Sequence, residues 1–316
     1  MNALHWLFTR TFTYISLALA ILAIYVIGYD MGKLFLWFIL PFYGISLLFQ
    51  LLAPKIKAPL EKNELVTDII SNTVTIGVVN SIQTWGVGII FALSSSSLLI
   101  HFGIMDAKYG LADLPHWLQI VLGLLIMDFF FYVTHRIAHE VPFFWRFHAI
   151  HHCAHRVTFM NAYRVHPIDA MFRRYVPLFF VMLTGISNEA FVASAVIGSV
   201  LATVTHLNID LRHGWFNYLI ATNENHRWHH STNISEAKNF SVITVWDHLF
   251  GTFYLPRDRD MPEKTGLVDE TDYPLHNYWQ LLLQPFRKKK ADNAPVKTSE
   301  LMNEDEALSP SQPHLQ

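Results

Sequence analysis

The sequence predicts an all-α integral membrane protein with about four transmembrane helices, a helical hairpin and a cytoplasmic-face helical cap rich in histidine. Composition is the first observation behind this prediction. Hydrophobic residues make up 52% of the 316 residues and charged residues only 15%, whereas soluble domains carry about 25% charged residues. The placement of histidines is the second observation. Of the 18 histidines, 13 lie between His135 and His248, and many are three or four residues apart, as on one face of a helix.

Four charge-poor runs define the predicted spans. Thr11–Tyr29 and Leu34–Pro54 contain no charged residue, and about 20 apolar residues suffice to cross a bilayer core. Ile69–Met105 also lacks Asp, Glu, Lys and Arg. Because that run exceeds the length of one span, we expect a single crossing there and part of it outside the membrane. Leu114–Thr134 is the fourth predicted span, interrupted only by Asp128.

Basic residues near the ends of the spans predict the orientation. Arg10 precedes the first span, Lys55 and Lys57 follow the second, and arginines from Arg136 to Arg174 follow the fourth. Such residues mark the cytoplasmic side of a membrane. We therefore expect a multi-pass protein of the bacterial inner membrane or endoplasmic reticulum, with its N-terminus and histidine clusters facing the cytoplasm.

A further apolar stretch predicts a helical hairpin. Tyr175–Asn188 is uncharged for 14 residues, about 21 Å of helix at 1.5 Å per residue, which is short of a hydrocarbon core of about 30 Å. A second uncharged run, Ala190–Ile209, follows Glu189. Since the last histidine cluster has to return to the side of the earlier ones, we expect the chain to reverse at Gly185–Asn188.

Three short segments present imidazoles, the commonest metal-binding side chains, at helix-face spacing. Residues three or four apart lie on one face of a helix, and polar groups near membrane spans are costly and usually functional. Eight imidazoles are too many for one four-coordinate ion but enough for two metals that keep open positions. Isolated histidines are usually ordinary core or surface residues, but this set of eight is a candidate dinuclear site: His135, His139, His148, His151, His152, His226, His229 and His230.

This pattern resembles the fatty acid hydroxylase/sterol desaturase superfamily, over roughly Leu114 to Pro256. The segments that carry the resemblance are HxxxH at His135–His139, HxxHH at His148–His152 and at His226–His230, HPID at His166–Asp169, HLN at His206–Asn208, and WDHLFGTFYLP at Trp246–Pro256. The chain is therefore expected to have three parts. The apolar runs predict an N-terminal transmembrane anchor region (1–113), and the resemblance implies a fatty acid hydroxylase-type catalytic domain (114–256). Composition predicts a polar C-terminal segment (257–316) that is largely disordered after about 287.

The superfamily consists of membrane-bound non-haem diiron enzymes that use O2 and two electrons to hydroxylate or desaturate lipids. The resemblance therefore implies two iron ions, a lipid substrate, and an external electron donor such as a cytochrome b5-like or ferredoxin-like protein with its reductase. It implies no catalytic residue beyond the metal site and no residues that bind an organic cofactor. The implied metal ligands are the eight histidines above and a ninth, His206.

Several neighbouring residues receive other expectations. His166 is left open between a metal ligand and a residue that orients one, because Pro167 disfavours helix at that position. Asp210 is left out of the ligand set as an equally good surface residue. The Asp247–His248 pair is expected to orient a ligand, since a carboxylate fixes an imidazole through its second nitrogen.

Other residues with a possible role are weighed against ordinary packing. His155 and His213 are not expected to be ligands, and Cys153, the only cysteine, is a weak ligand candidate. Five aromatic residues are expected either to wall an apolar channel for a lipid chain or to pack in the core: Phe129, Phe130, Phe143, Phe144 and Trp145.

Two other functional classes fit the sequence less well. A zinc hydrolase is expected to carry HExxH, but His139-Glu140 is followed by Val-Pro-Phe. A metal transporter would place histidines at mid-membrane depth, whereas these lie beside arginines at the predicted cytoplasmic edge. No basic patch interleaved with aromatic residues indicates nucleic-acid binding. Imidazole also suits zinc, copper and nickel, so the expectation of iron depends on the resemblance.

Overall fold

The computed structural model describes residues 3–57, 62–75, 77, 110–262, 265–268 and 273–287. These residues form helices and a few isolated bridges but no β-strand, which confirms the predicted all-α class. The α-helices, in chain order, are α1 (Ala3–Ile27), α2 (Met31–Leu52, with a π-helical part at Phe35–Ile39), α3 (Lys62–Val74), α4 (His116–Glu140), α5 (Pro142–His152), α6 (Pro167–Leu183), α7 (Asn188–Thr205), α8 (Asn223–His229), α9 (Val245–Leu249) and α10 (Tyr278–Leu283).

Four of the described helices are long and apolar enough to cross a membrane: Trp6–Ile27, Met31–Leu52, His116–Glu140 and Asn188–Thr205. The first three match the first, second and fourth predicted spans. The predicted span within Ile69–Met105 overlaps the end of α3 and otherwise lies outside the described residues. The cytoplasmic orientation of the cap stays a prediction.

Helices α6 and α7 form the predicted hairpin. The chain reverses at Gly185, whose φ of +65° is a conformation that glycine adopts without steric cost. The Ser187 hydroxyl then caps α7 by accepting the Ala190 N–H. Two bonds hold the tip beside the start of α4: Leu111 N–H donates to Thr184 O (2.9 Å), and Ser187 N–H to the Gln119 side chain (2.9 Å). The hairpin therefore runs along α4 from the histidine end to the opposite end.

Helix α4 is the central element, since α5, α6 and α7 all pack against it. It packs tightly on α7 at Gly123, where a Cβ would lie 2.9 Å from the Ser194 hydroxyl oxygen. That hydroxyl donates to Ile120 O at 3.0 Å. Small residues allow such close packing between apolar helices, where van der Waals contact and hydrogen bonds supply the attraction.

The largest described core lies between α1, α2 and α7. Phe12, Phe42 and Val200 are among its buried members, and the Tyr43 hydroxyl on α2 lies 2.8 Å from that of Ser199 on α7. This core fixes α1 and α2 against α7, and α7 in turn ends at the histidine cluster.

Candidate metal centre

Four elements bring the predicted histidines to one place. Helix α4 carries its two histidines in its last two turns, and Pro142 starts α5 immediately afterwards at a helix position suited to proline. Helix α8 begins with a capping box between Thr222 and Asn225, so its last turn presents the third cluster. His206 is the residue at which α7 ends.

The nine expected histidines form two groups, within each of which the potential ligand atoms lie within 4.8 Å of one another. Eight of the nine are buried and His139 is half-buried. The first group has five members and the second four. They are His135, His139, His148, His152 and His229, and His151, His206, His226 and His230.

Each HxxHH box is divided between the two groups. His148 and His152 point into the first group, while His151 points into the second. Adjacent residues on an α-helix are rotated by about 100° because one turn takes 3.6 residues, so neighbouring imidazoles cannot face the same centre. Pairs at i,i+4 share a group, and the residue between them reaches the other.

Hydrogen bonds outside the first group determine which ring nitrogen faces inward. His135 Nδ1 lies 2.8 Å from Phe240 O, His148 Nδ1 3.1 Å from an Asp169 oxygen, and His229 Nδ1 2.8 Å from Lys238 O. Carbonyl and carboxylate oxygens only accept, so each Nδ1 carries the proton and each Nε2 of the neutral ring presents a lone pair. Three lone pairs therefore point into this group.

Those inward nitrogens lack a donor among the described residues. His135 Nε2 and His148 Nε2 face each other at 3.2 Å, although both present lone pairs. The Nε2 atoms of His139, His152 and His229 are buried without a hydrogen-bond partner, an arrangement that is costly in a folded protein. A cation bound among them would satisfy all five, since one potential ligand atom from each of these histidines lies within 4.8 Å of the others.

In the second group, a hydrogen bond fixes which nitrogen of His206 faces inward. The Thr205 hydroxyl donates to Ala202 O at 2.7 Å, so it accepts from His206 Nδ1 at 3.0 Å. His206 Nε2 therefore presents a lone pair, and it lies 3.3 Å from His151 Nε2 and 3.0 Å from His226 Nε2. His230 Nε2 is 3.1 Å from His226 Nε2. Four Nε2 atoms thus surround one point.

Burial keeps these rings neutral at physiological pH. Burial lowers the pKa of His206 to about 4, and burial together with nearby His148 lowers the pKa of His229 to about 3. Neutral imidazole is the form that binds metal. Burial also raises the pKa of Cys153 to about 12; this thiol donates to Ile150 O and belongs to neither group.

Asp169 is the carboxylate that orients a histidine of the site. It lies in the first turn of α6, before the apolar part of that helix, and accepts from His148 Nδ1 and from the Arg173 guanidinium at 2.8 Å. Burial alone would raise its pKa, but the charge of Arg173 and the contact with His148 outweigh burial and hold the pKa well below its usual range. The HPID motif contained this residue, yet sequence reasoning gave it no role.

The expectation for Asp247 and His248 was wrong. Asp247 contacts no histidine of the site; it accepts the Phe240 N–H (2.8 Å) and the Ser241 N–H (2.9 Å). It thereby holds the turn whose Phe240 carbonyl orients His135. His248 is exposed, with Nε2 3.2 Å from Tyr218 O. The carboxylate therefore acts on a histidine of the site through the backbone.

His166, whose role the sequence left open, and Asp210, which was left out of the ligand set, lie outside both groups. His166 caps α6: its Nδ1 accepts the Ile168 N–H (3.1 Å) and its Nε2 donates to Leu282 O (3.2 Å). Its backbone is extended, as expected before a proline. Asp210 pairs with Lys55 (3.2 Å) and Arg212 (3.0 Å).

The expected non-ligands also lie outside the two groups. His213 Nε2 lies 2.7 Å from the Thr13 hydroxyl, and His155 belongs to neither group.

A buried ion cluster anchors the loop between α5 and α6. Arg164 is fully buried and pairs with Asp68 and with Glu64 (3.3 Å) on α3. This loop joins the helix of the second histidine box to the helix of Asp169. The cluster therefore fixes both against α3, and sequence reasoning missed it because its members are about 100 residues apart.

A cavity of about 190 Å³ opens beside His206, lined among others by Phe131, Phe159, Thr203 and Arg173. None of the five aromatic residues proposed from the sequence lines it.

Those five aromatic residues have other neighbours. Phe130 stacks on Phe180 (3.7 Å between centroids) and Phe144 on Phe172 (4.3 Å). Phe129 packs on Trp246, and Phe143 is exposed. Trp145 lies 5.2 Å from the His139 ring, so among these five it alone contacts the histidine groups.

Comparison with known proteins places this region in a family. A family model described as fatty acid hydroxylase matches residues 120–252, the stretch that holds all nine histidines. Residues 120–252 belong to the fatty acid hydroxylase family. No solved structure is significantly similar to this chain.

The curated proteins that are similar to this region have names of enzymes that act on lipids. Ornithine lipid hydroxylase OlsE of Rhizobium tropici is 34% identical over 195 residues, 61% of this chain and 58% of that protein. Alkylglycerol monooxygenase of Caenorhabditis elegans is 29% identical over 173 residues, 52% and 33% of the two chains. Fatty acid hydroxylase vlmA of Lecanicillium sp is 26% identical over 163 residues, 43% and 42%. The chain thus spans less than two thirds of each.

Proposed function

We propose that this protein is a membrane-bound non-haem diiron oxygenase that hydroxylates a lipid with O2 and two electrons. The observation that carries the proposal is the convergence of inward-facing imidazole lone pairs in two adjacent groups. The fatty acid hydroxylase match and the hydroxylase and monooxygenase relatives support it. Desaturation, which starts with the same hydrogen abstraction and then removes a second hydrogen, is the alternative outcome.

Each histidine group is assigned one iron ion in this proposal. The five histidines of the first group would hold one ion, and the four of the second group would hold the other. Bound iron supplies the redox chemistry that cleaves an unactivated C–H bond, which no side chain supplies. A nitrogen-only site also suits zinc and copper, and the family match is what favours iron.

The chain's own residues position the ligands and exclude water. Asp169, Phe240 O and Lys238 O hold three imidazoles in one tautomer, and such outer contacts increase metal affinity.

We assign the cavity beside His206 to the reacting part of the lipid. Its volume of about 190 Å³ is below the roughly 300–1,000 Å³ of typical small-molecule pockets. Only a short segment of a lipid therefore enters it, and the rest of the molecule stays in the membrane.

The electrons come from a separate protein in this proposal. The reaction consumes two electrons per O2, and the donor proposed from the resemblance is a cytochrome b5-like or ferredoxin-like protein with its reductase. Reconstitution with each donor type, followed by product formation, distinguishes the two.

Metal analysis and lipid mass spectrometry test the proposed function. Purified protein is expected to hold iron, to take up O2 with reductant and lipid, and to yield a lipid with one added oxygen. Desaturation instead yields a lipid with two fewer hydrogens. His139→Ala should lose metal and activity, while His248→Ala, an exposed histidine outside both groups, serves as the matched control. Bound zinc without O2 uptake would contradict the proposal.

We also propose that the histidine groups face the cytoplasm. The basic residues that flank the spans support this orientation, and the hairpin tip then lies on the opposite side. This orientation is tested by labelling cysteines introduced at Ser187 and Asp260 in intact cells. The native Cys153 is buried, so the label is expected to react with the introduced cysteines only. Label from outside is expected at position 187 only, and the reverse result would contradict the orientation.

A further inference from the structure

An exposed apolar surface lies beside the metal centre, formed by the 3-10 segment Gly214–Tyr218 with Leu219 and by α9 with Phe250. We call it the apolar ledge. Five large hydrophobic side chains are exposed on it: Trp215 (68%), Leu219 (50%), Val245 (45%), Leu249 (68%) and Phe250 (43%). In water such a cluster is unusual, since contiguous exposed apolar patches usually mark interaction sites.

Contacts with helix α4 indicate how deep the ledge lies relative to the end of the apolar run of that helix. The Asp128 carboxylate accepts the N–H groups of Val242 (2.8 Å) and Ile243 (2.7 Å), just before α9. Phe129 also packs on Trp246 at 4.9 Å. Asp128 lies six residues inside the end of the apolar run at Thr134, which is about 9 Å along a helix. The ledge is therefore attached inside the span rather than beyond its end.

Helix α1 gives a second, independent depth. The Tyr14 ring lies 4.8 Å from that of Phe216, and its hydroxyl donates to His213 O at 3.3 Å. Tyr14 is three residues inside the charge-free run that starts at Thr11, about 5 Å along the helix.

Both depths are measured from the same membrane surface. Tyr29, after the end of α1, bonds His116 at the start of α4 (2.8 Å), so the two helices are antiparallel. Residues near Thr11 and near Thr134 are therefore at the same end of the bundle, the end that carries the histidines.

Backbone groups of the apolar ledge form hydrogen bonds within the protein, as they must where water is absent. Thr244 N–H donates to Leu219 O (3.1 Å), Ala221 N–H to Val242 O (2.7 Å), and the Thr244 hydroxyl to Tyr218 O (2.7 Å). His248, exposed at this surface, has its Nε2 bonded to the same Tyr218 carbonyl. Backbone groups that meet lipid have to be satisfied within the protein.

We propose that the apolar ledge is inserted into the lipid bilayer as a monotopic contact between the metal-bearing cap and the membrane. The two depths of about 5 and 9 Å match the 5–10 Å to which apolar faces of interfacial helices reach. Trp215 suits the headgroup level, where tryptophan is enriched. The ledge contacts both α1 and α4, and this inference holds whether or not the centre carries iron.

Quenching of a fluorophore on introduced cysteines tests the proposal. The full chain, carrying Leu249→Cys or Trp215→Cys, is labelled and reconstituted in phosphatidylcholine vesicles. Brominated acyl chains act as the lipid-phase quencher, and iodide as the aqueous one. Asp260→Cys, whose native side chain is 86% exposed, is the control. The buried Cys153 is checked by labelling the unsubstituted chain.

The ledge positions are expected to be quenched by brominated lipid several-fold more than position 260, and by iodide several-fold less. Equal iodide quenching at positions 249 and 260 would overturn the proposal. Protection from both quenchers would overturn it as well, since it indicates a protein cover such as a second copy. Val245→Cys, on the same surface, replaces any variant whose circular dichroism or elution volume departs from that of the unsubstituted chain.

Discussion

Asp169→Asn is the substitution that most directly tests how this chain orients its histidines. The asparagine side chain has nearly the same shape but no charge, so it cannot serve both contacts of the carboxylate. His148 Nδ1 lies 3.1 Å from one Asp169 oxygen, and the Arg173 guanidinium contacts both oxygens at 2.8–3.1 Å. The change therefore weakens the bond that keeps His148 Nε2 directed into the first group.

The expected loss in metal affinity is about 10–100-fold, as is typical when the outer partner of a ligand histidine is removed. That range corresponds to roughly 1.4–2.8 kcal/mol, at about 1.4 kcal/mol for each factor of ten. Stability is expected to fall as well, because Arg173, whose side chain is 11% exposed, loses its partner. Breaking a buried ion pair by removing one member costs about 3–5 kcal/mol.

A companion variant separates the two effects. Arg173→Gln breaks the same ion pair but leaves Asp169 in contact with His148, so it should lower stability while reducing metal affinity less than Asp169→Asn. The assay is equilibrium iron binding by detergent-solubilised protein, with thermal unfolding measured in parallel. Asp260→Asn, at an exposed position, is the matched acid-to-amide control. Wild-type iron affinity in Asp169→Asn would refute the orienting role.

Three further outcomes are expected. His206→Gln should remove about one of two bound metal ions and abolish turnover, and unchanged iron content would rule His206 out as a ligand. Asp128→Leu leaves the N–H groups of Val242 and Ile243 unsatisfied, at about 1–3 kcal/mol each; an unchanged melting temperature would contradict this. Metal-free protein should lose stability as pH falls from about 6.5 towards 4. Burial lowers the folded-state pKa of His206 to about 4, so between these pH values the unfolded chain binds more protons than the folded chain. Flat stability across that window would contradict the burial of neutral rings.

Residue spacing predicted which histidines come together but not how they are shared. HxxxH and HxxHH place eight imidazoles on helices, and all eight lie in the two groups together with His206, which the resemblance had implied. Helix geometry separates the adjacent His151 and His152, but which group each of them enters depends on how α5 is rotated relative to α4 and α8. That rotation is set by tertiary packing, which a local repeat does not encode.

The residues that orient the histidines were predicted less well, because their contacts join distant parts of the chain. Asp169 and Phe240 approach His148 and His135 only once α6 and the turn after α8 pack on α4. Asp128 did carry a local signal, an acid within an apolar run, and it proves to bind backbone N–H groups. The error over His248 arose because sequence adjacency to Asp247 was taken as contact.

Span prediction succeeded where the apolar runs were long and uninterrupted. The three runs appear as helices α1, α2 and α4, although α1 begins earlier than predicted, at Ala3, and α4 continues beyond Thr134 to Glu140. The hairpin was predicted from its short first arm, and Gly185 reverses the chain within the predicted tip. Helix α6 begins earlier than the apolar run, at Pro167, because a polar first turn held by His166 and Asp169 precedes it.

The iron content of the purified chain tests the central claim most directly. Two histidine groups predict two iron ions per chain, and His151→Ala and His152→Ala, adjacent residues assigned to different groups, are each expected to lower that number. The exposed His248→Ala should retain both ions. A stoichiometry of one ion in the unsubstituted chain, or full iron content in both adjacent variants, would contradict a dinuclear centre.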